Sequence, residues 1–107
     1  MTAMQWADAE GDVLTVFRAL ANAERLAVLD VLRACGSRGM NISQVGEAAE
    51  LNRFTASRHL KALCSAGLVT SVRHNQSVVH RLDPAGFERV EDWLYETAPS
   101  TEAQRFG

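Results

Sequence analysis

The sequence predicts a single, mainly α-helical domain that carries one small β-hairpin. Apolar residues recur at helical spacing over most of residues 9–66, whereas residues 68–82 are rich in Val, Thr and Leu with polar residues interleaved. The chain has 107 residues, of which 47% are hydrophobic and 22% charged, and these values suit one globular domain. We therefore expect a structured domain over residues 9–98, a flexible arm at 1–8 and a disordered tail at 99–107.

The composition argues against a membrane-spanning or secreted protein. No apolar run approaches the roughly 18 residues of a membrane span, and the N-terminus lacks the basic start and apolar stretch of a secretory signal. Cys35 and Cys64 are too few for a disulfide framework. We expect a cytoplasmic protein in which both thiols act as small apolar side chains, although a redox role for the pair stays open.

Three helices are predicted in the N-terminal half. The first covers about residues 9–21. Asn22 is placed to cap the second, Glu24 to Cys35, which is apolar on most sides and is therefore expected at the centre of the fold. The third, Gln44 to Glu50, is predicted to start from Ser43 as its cap. Its expected inner side consists of Val45, Ala48 and Ala49.

A fourth helix, Arg53 to Ala66, follows the third after a tight turn. Asn52 is placed as its N-cap, and Gly67 is the residue expected to end it in a left-handed conformation. Two helices joined by so short a turn form a helix-turn-helix pair. The second helix of the pair is therefore the candidate recognition helix for nucleic acid.

The C-terminal part is predicted to form a hairpin followed by a fifth helix. Strands are expected at Leu68–Arg73 and Ser77–Leu82, and Asp83-Pro84 has the cap-then-proline pattern of a helix start. The last helix has one apolar stripe, formed by Phe87, Val90, Trp93 and Leu94. The complete order of elements is that of a winged helix-turn-helix, with a two-stranded wing between the fourth and fifth helices.

Charge is distributed unevenly along the chain. The net charge is −2, which by itself does not favour nucleic acid. Between Asn52 and Leu82, however, there are five basic residues and no Asp or Glu. The remainder holds 6 basic and 13 acidic residues, a net −7. Such segregation within one small domain indicates a basic face.

The fourth helix has the residues that a DNA-reading helix needs. Ala56, Leu60 and Leu63 share the inward face at helical spacing, so the opposite face is basic, polar and aromatic. Arginine can fork onto guanine edges, hydroxyls can bond phosphates or bases, and an aromatic ring can press on a thymine methyl. We predict DNA contacts from this helix and from the wing tip by Arg53, Phe54, Thr55, Ser57, Arg58, Lys61, Arg73 and His74.

Two segments resemble the ArsR/SmtB family of winged helix-turn-helix transcriptional repressors. Residues 17–32 read FRALANAERLAVLDVL, which is similar to the opening signature of that family, and residues 55–69 read TASRHLKALCSAGLV, which resembles its recognition helix and the turn into the wing. The resemblance implies a symmetric homodimer that binds an inverted repeat of double-stranded DNA, represses transcription and leaves the DNA when an inducer binds. The first and last helices would then pair across the two-fold axis through Trp6, Val13, Phe17, Val90, Trp93 and Leu94.

The chain departs from that family where the family binds metals. The stretch 40–46 has no cysteine, and the stretch 87–96 has no histidine. We therefore expect no metal and no cofactor, and an inducer that is a small molecule of unknown identity. Glu50 stands where the family usually has glycine, and Asn75 occupies the wing tip, where it can still adopt a positive φ. Phe54 replaces a small polar residue, so the operator is not inherited from the resemblance.

Several residues keep alternative interpretations. His59 is expected to be packed and hydrogen-bonded, and Arg25 is expected to form an intramolecular ion pair rather than a phosphate contact. His74 and His80 are placed on the wing. No glycine-rich phosphate loop, HExxH or Gly-x-Ser-x-Gly motif is present, so an enzyme is not expected. The alternatives to the metal-independent repressor are a repressor that senses thiol oxidation or a small ligand, and a winged helix that binds proteins.

Overall fold

The computed structural model describes residues 11–99, with side chains from Val13 onward. The arm predicted at 1–8, which includes Trp6, and all but the first residue of the tail predicted at 99–107 lie outside the described residues. The described part contains five α-helices, one 3-10 turn and a two-stranded antiparallel sheet. In chain order they are α1 Gly11–Leu20, α2 Ala23–Cys35, the 3-10 turn Gly36–Arg38, α3 Ile42–Ala49, α4 Arg53–Ser65, β1 Val69–His74, β2 Ser77–Leu82 and α5 Pro84–Thr97.

Side-chain caps begin three of the helices at the positions that the sequence predicts. Asn22 Oδ1 accepts from the Arg25 backbone N–H at 3.0 Å, and Asn52 Oδ1 accepts from the Thr55 N–H at 2.8 Å. Asp83 accepts from the Ala85 N–H, with Pro84 in the first turn of α5. Each cap satisfies one of the backbone donors that a helix start leaves unpaired, which confirms the starts of α2, α4 and α5.

The predicted start of α3 is wrong. The cap is Asn41, not Ser43, and Asn41 and Gln44 form a reciprocal capping box with both bonds at 2.9 Å. The capping box satisfies two backbone N–H groups at the start of α3, whereas a Ser43 cap would satisfy one. Ala48, predicted on the inner side, is exposed, whereas Val45 is fully buried.

The predicted hairpin is confirmed, but β1 lies one residue later than predicted at both ends, Val69–His74 instead of Leu68–Arg73. Ser71 pairs with His80 and Val72 with Val79, and the turn Asn75-Gln76 connects the strands. Asn75 has φ +58°, as expected of an asparagine in a tight turn. Met40 forms an isolated antiparallel β-bridge with His80 of β2. The backbone N–H and carbonyl of Met40 both bond to the backbone of His80.

The core lies where α2 crosses the other helices and the base of the wing. Its fully buried large side chains are Leu32, Leu63, Leu68, Val16, Val28 and Val45. Ala56, Leu60 and Leu63 of α4 are at most 3% exposed, which confirms the predicted inward face of that helix. Phe17, Leu82 and Phe87 pack against the cluster from its edge.

One close backbone approach holds α5 against the end of α4. Gly67 follows α4 with φ +78°, and a Cβ at Gly86 of α5 would overlap the carbonyl oxygen of Gly67. The guanidinium of Arg89 covers the open side of Gly67. Glycine at position 86 therefore sets the separation between α5 and the turn that leads into the wing.

Arg25 does not form the ion pair that was expected. Its Nε–H donates to the carbonyl oxygen of Ala19 at 2.8 Å, near the end of α1, and no carboxylate pairs with it among residues 11–99. A cation at a helix C-terminus satisfies a free carbonyl and is favoured by the helix dipole. Arg25 thus closes the α1–α2 corner. No helix within residues 11–99 is long and apolar enough to cross a membrane.

Candidate nucleic-acid interface

The outer face of α4 is exposed over its whole length. Phe54 is 86% exposed, although an aromatic ring of that size is usually at least partly covered. Thr55 is half-buried. The other predicted contact residues of this helix are all exposed, namely Arg53, Ser57, Arg58 and Lys61.

The positive charges on this face have no carboxylate partners. Neither Arg58 nor Lys61 forms an ion pair within the described part of the chain. Arg53 Nη1 donates to the hydroxyl of Ser43 in the first turn of α3, at 3.3 Å. Unpaired cations on a protein surface keep their full attraction for an anionic partner, so the face is electrostatically suited to a polyanion.

A buried histidine holds α4 in its orientation. His59 is 7% exposed, and its Nε2–H donates to the Glu24 carboxylate at 2.8 Å. Glu24 lies in the first turn of α2, so this bond joins the recognition-helix candidate to the central helix. The packed, hydrogen-bonded His59 that the sequence predicts is confirmed. The bond from His59 to Glu24 could not be predicted from local spacing, because the two residues are 35 positions apart in the chain.

The wing brings two of its predicted residues to an exposed tip. Arg73 and His74 end β1 and are both exposed. His80, in contrast, is buried at 8% exposure, because it faces α4 from the inner side of β2. Arg81 donates to the backbone carbonyl of Ser37 at 2.6 Å and fastens the wing to the 3-10 turn.

A polar notch lies between the wing and the start of α4. The notch has a volume of about 270 Å³, and Arg53 and Arg73 line it from opposite sides. Its uncharged polar lining comes from Asn41, Ser43, Gln76 and Ser77. Sequence reasoning did not assign a contact role to Ser43 or Gln76, and only the packing of the wing against α3 brings them to the two arginines.

The described residues of the predicted dimer interface come from α1 and α5, which pack against each other, but they differ in exposure. Phe17 of α1 and Trp93 of α5 pack edge to face with their ring centroids 5.5 Å apart. Val13 is half-buried, Leu94 is 47% exposed, and Val90 belongs to the core of the subunit. The interface itself stays a prediction, with Leu94 and the outer surface of the Phe17–Trp93 pair as its accessible part.

No three His, Cys, Asp or Glu side chains converge as metal ligands within residues 11–99. Both cysteines are free thiols and half-buried. The histidines are divided between the inner side of α4, the wing tip and the inner side of β2. The absence of a metal requirement stays a prediction, to be tested below.

Known proteins share this fold and part of this sequence. No family model matches the chain. YbzH, an uncharacterized HTH-type transcriptional regulator from Bacillus subtilis (strain 168), is 26% identical over 93 residues, which cover 76% of this chain and 93% of YbzH. An ArsR-like transcriptional regulator from Rhodococcus sp. RHA1 has a TM-score of 0.74 and 25% identity, over 83% of this chain and 81% of that chain.

Two structures from Mycobacterium bovis decide the family. The homodimeric winged helix-turn-helix DNA-binding domain of Mb0332, a possible ArsR-family transcriptional regulator, has a TM-score of 0.69 and 28% identity, over 90% of this chain and 87% of that chain. A crystal structure of a possible transcriptional regulatory protein (fragment 1–100) is 31% identical, with a TM-score of 0.66, over 84% of this chain and 91% of that chain. The chain belongs to the ArsR family.

Membership of the ArsR family confirms the resemblance carried by residues 17–32 and 55–69. It also confirms the winged helix-turn-helix fold predicted from the order of elements. The relatives are transcriptional regulators, which are not enzymes, so the ArsR-type chain described here is a regulator and not an enzyme.

Proposed function

We propose that this protein is a homodimeric, sequence-specific DNA-binding repressor that binds an inverted-repeat operator. The observation that carries the proposal is the acid-free surface formed by the outer face of α4 together with the wing tip. Its unpaired cations lie on a helix exposed along one side, and such a helix fits the B-DNA major groove. The DNA-binding domain of Mb0332, which has this fold, supports the same reading.

The expected roles of the side chains follow from their positions on α4. Arg58 is exposed near the middle of the helix and is suited to fork onto a guanine edge, while Phe54, exposed in the first turn, suits a thymine methyl. Lys61 lies one turn beyond Arg58 and suits a backbone phosphate. Thr55 and Ser57 add hydroxyls at the N-terminal end of the same helix.

The wing is expected to follow the flanking backbone. Arg73 and His74 are exposed at its tip, and the notch shared by Arg73 and Arg53 has the size and charge for a phosphate group. One phosphodiester held between both arginines would fix the wing relative to the recognition helix. Ser43 and Gln76 would add uncharged hydrogen bonds in the same notch.

A dimer would double this surface. The homodimeric Mb0332 domain supports a two-fold arrangement, and the accessible apolar residues of α1 and α5 supply a face for it. Two α4 helices related by a two-fold axis reach successive major grooves about 34–36 Å apart. An inducer that is not a metal would release the protein from the operator.

Selection of bound sequences from random double-stranded DNA tests this function. We expect an enriched inverted repeat, and a log–log plot of affinity against salt concentration that falls with a slope of about −0.9 for each phosphate contact. Binding with no sequence enrichment would contradict specific recognition. Failure to bind any duplex, with the protein folded, would favour the protein-interaction alternative.

A further inference from the structure

A cysteine, a serine and a histidine form a hydrogen-bonded chain between α4 and the wing. Cys64 Sγ lies 3.1 Å from Ser71 Oγ, and Ser71 Oγ lies 2.8 Å from His80 Nδ1. The three residues come from three elements, α4, β1 and β2. The register of the hairpin, in which Ser71 pairs with His80, places the hydroxyl between the thiol and the imidazole.

The hydrogen bonds from Cys64 through Ser71 to His80 are arranged to carry a proton away from the Cys64 thiol. Burial lowers the pKa of His80, so near pH 7 its imidazole is neutral and Nδ1 can accept the single hydroxyl proton of Ser71. Ser71 Oγ then accepts the thiol proton of Cys64. A base that reaches a nucleophile through one hydroxyl is the arrangement by which weakly acidic nucleophiles are activated.

The three residues also line one cavity. It has a volume of about 290 Å³ and opens to the surface beside Ser71, which is exposed. Ile42 and Leu60 supply an apolar wall. Ser57 and Lys61 of the proposed DNA-binding face form the remaining lining. The cavity therefore suits a small, uncharged, partly apolar molecule with a polar group.

The other thiol of the chain has no such partners. Cys35 is half-buried like Cys64, but its thiol donates to the backbone carbonyl of Leu32 at 3.1 Å. A carbonyl oxygen accepts a hydrogen bond and does not take up a proton near pH 7. Cys35 is thus an internal comparison for Cys64, since both thiols end helices and differ in whether a base can take the proton.

We propose that Cys64, with Ser71 and His80, forms a covalent modification site for small uncharged α,β-unsaturated carbonyl compounds. The thiol proton passes to Ser71 while the Ser71 proton passes to His80, and the sulfur electron pair forms a bond to the β-carbon of the compound. The carbon–carbon double bond opens to an enolate, and the proton returns from His80 through Ser71 to the α-carbon. The product is a thioether, and neither an oxidant nor a reductant is consumed.

The adduct would stand beside two residues of the proposed DNA-binding face. It would occupy the cavity lined by Ser57 and Lys61, beside the outer face of α4. This second step rests on the proposed function, because it converts the modification into release of DNA. A group bound at this position would block the approach of DNA to Ser57 and Lys61.

The site is tested by the labelling rates of both thiols with N-ethylmaleimide, itself an α,β-unsaturated carbonyl compound. The rates are followed by mass spectrometry of the two cysteine peptides from the same full-length protein. We expect Cys64 to react about tenfold or more faster than Cys35, because assistance by a positioned base accelerates such steps. Equal rates, or a faster Cys35, would overturn the proposal.

Ser71 variants separate the proton chain from simple exposure. Ser71 is exposed on a strand, so Ser71→Ala leaves the fold intact and is expected to lower the Cys64 rate about tenfold, while the Cys35 rate stays unchanged. Ser71→Thr retains the hydroxyl and should keep the fast rate. An unchanged Cys64 rate in Ser71→Ala, or an equally slow rate in Ser71→Thr, would show that the hydroxyl carries no proton.

Release of DNA is tested with single-cysteine proteins. After treatment with N-ethylmaleimide, Cys35→Ser should lose affinity for the selected DNA, whereas Cys64→Ser should keep it. Retained affinity in treated Cys35→Ser would refute release while leaving the labelling result in place. Untreated proteins that bind no DNA would refute the proposed function and, with it, release, and the labelling rates would still decide the modification site.

Discussion

Arg58 and Lys61 are three positions apart on the exposed face of α4 and are expected to make different kinds of contact. The planar guanidinium of Arg58 can form two parallel hydrogen bonds to a guanine, whereas the ammonium of Lys61 acts as a point charge. Sequence selectivity should therefore depend on the first residue and general affinity on the second. Both side chains point away from the core, so their removal should not affect folding.

Arg58→Ala is expected to weaken binding to the selected operator by about 1–3 kcal/mol and to relax selectivity at one base position in each half-site. Lys61→Ala should weaken binding to all sequences and reduce the salt slope by about 1 for each subunit. Arg33→Ala, which removes the same charge from the exposed Asp30 pair on α2, is the control and should leave affinity unchanged. Fluorescence anisotropy at several salt concentrations measures all three. Unchanged affinity in both α4 variants would remove this helix from the interface.

Glu50 ends α3 in a conformation that is unfavourable for its residue type. Its backbone has φ +57° and ψ +46°, the left-handed region in which a side chain costs about 1–2 kcal/mol relative to glycine. Glu50→Gly removes this strain but increases the freedom of the unfolded chain by about 0.5–1 kcal/mol. We expect a net gain of roughly 0.5 kcal/mol and a Tm a few degrees higher in thermal unfolding.

Glu50→Ala is the matched control for that substitution. It removes the same carboxylate and retains a Cβ, so the backbone strain persists and the Tm should not rise. An equal increase in both variants would mean that the carboxylate, rather than the left-handed backbone, destabilises the turn between α3 and α4.

At the scale of elements, the position of α4 depends on α5 and on α2. The Gly86–Gly67 approach sets the distance from α5, and the His59–Glu24 bond sets the connection to α2. Both contacts act on the helix that carries the proposed DNA-binding residues. A change at either one should affect stability first, since both lie behind the exposed face.

Gly86→Ala is expected to lower the free energy of unfolding by about 1–3 kcal/mol, because the added methyl group would overlap the Gly67 carbonyl and press on Leu68. Ala85→Leu adds a larger group at the neighbouring exposed position of the same helix and should stay within about 0.5 kcal/mol of the parent. Urea unfolding followed by circular dichroism compares them. A Gly86→Ala protein as stable as the parent would show that α5 can shift without cost.

At the scale of the whole molecule, we expect specific binding to require two subunits. One α4 helix presents a short basic face, which gives limited affinity on its own, and a two-fold pair doubles the contacts. Trp93 is half-buried against Phe17 at the side where α1 and α5 lie. Aromatic residues dominate the energetics of interfaces, so Trp93 is the best candidate for the anchor.

Trp93→Ala should shift the protein toward monomer in sedimentation velocity and weaken operator binding at the same concentration. Circular dichroism should show that the variant keeps its helices. The Arg33→Ala protein again serves as the control and should sediment like the parent. If the parent itself is monomeric at micromolar concentration, the dimer model is wrong.

Operator binding is also expected to be independent of transition metals. A metal site needs three or four converging ligands, and residues 11–99 present no such group. Affinity measured with a chelator should equal affinity with low micromolar Zn²⁺, Ni²⁺ or Co²⁺. Metal-dependent release that is abolished by substitution of Cys35, Cys64 or a histidine would assign a metal inducer to the protein.

Much of the fold could be predicted because it follows from local chemistry. Asn22, Asn52 and Asp83 cap helices through bonds that reach only two or three residues, and the apolar spacing of α4 sets its inner face. The capping box of Asn41 and Gln44 was equally readable from spacing and was missed because Ser43 is also a good cap. The exposed face of the candidate site follows from that same inner face.

Other features were decided only by tertiary packing. Glu24 meets His59 and Arg81 reaches Ser37, in both cases from elements far apart in the chain. Arg53 and Arg73 come from consecutive elements and meet at a notch. Arg25 finds a backbone carbonyl instead of a carboxylate because the α1–α2 corner offers an unpaired acceptor beside it. These contacts cannot be predicted from residue spacing, because they depend on how the helices cross.

The Cys64–Ser71–His80 chain lies between these two cases. The hairpin that carries Ser71 and His80 is local, but the predicted strand ends leave three residues, 74–76, between the strands. The structure has the two-residue turn Asn75-Gln76, and this turn pairs Ser71 with His80. The approach of Cys64 depends on the angle at which α4 meets the wing. The sequence by itself therefore determined the helices, the caps of α2, α4 and α5, the hairpin and the basic face, because hydrogen bonding and apolar periodicity act over a few residues. The tertiary structure alone decided which distant side chains meet, because side-chain contacts between elements are set by the packing of the common core.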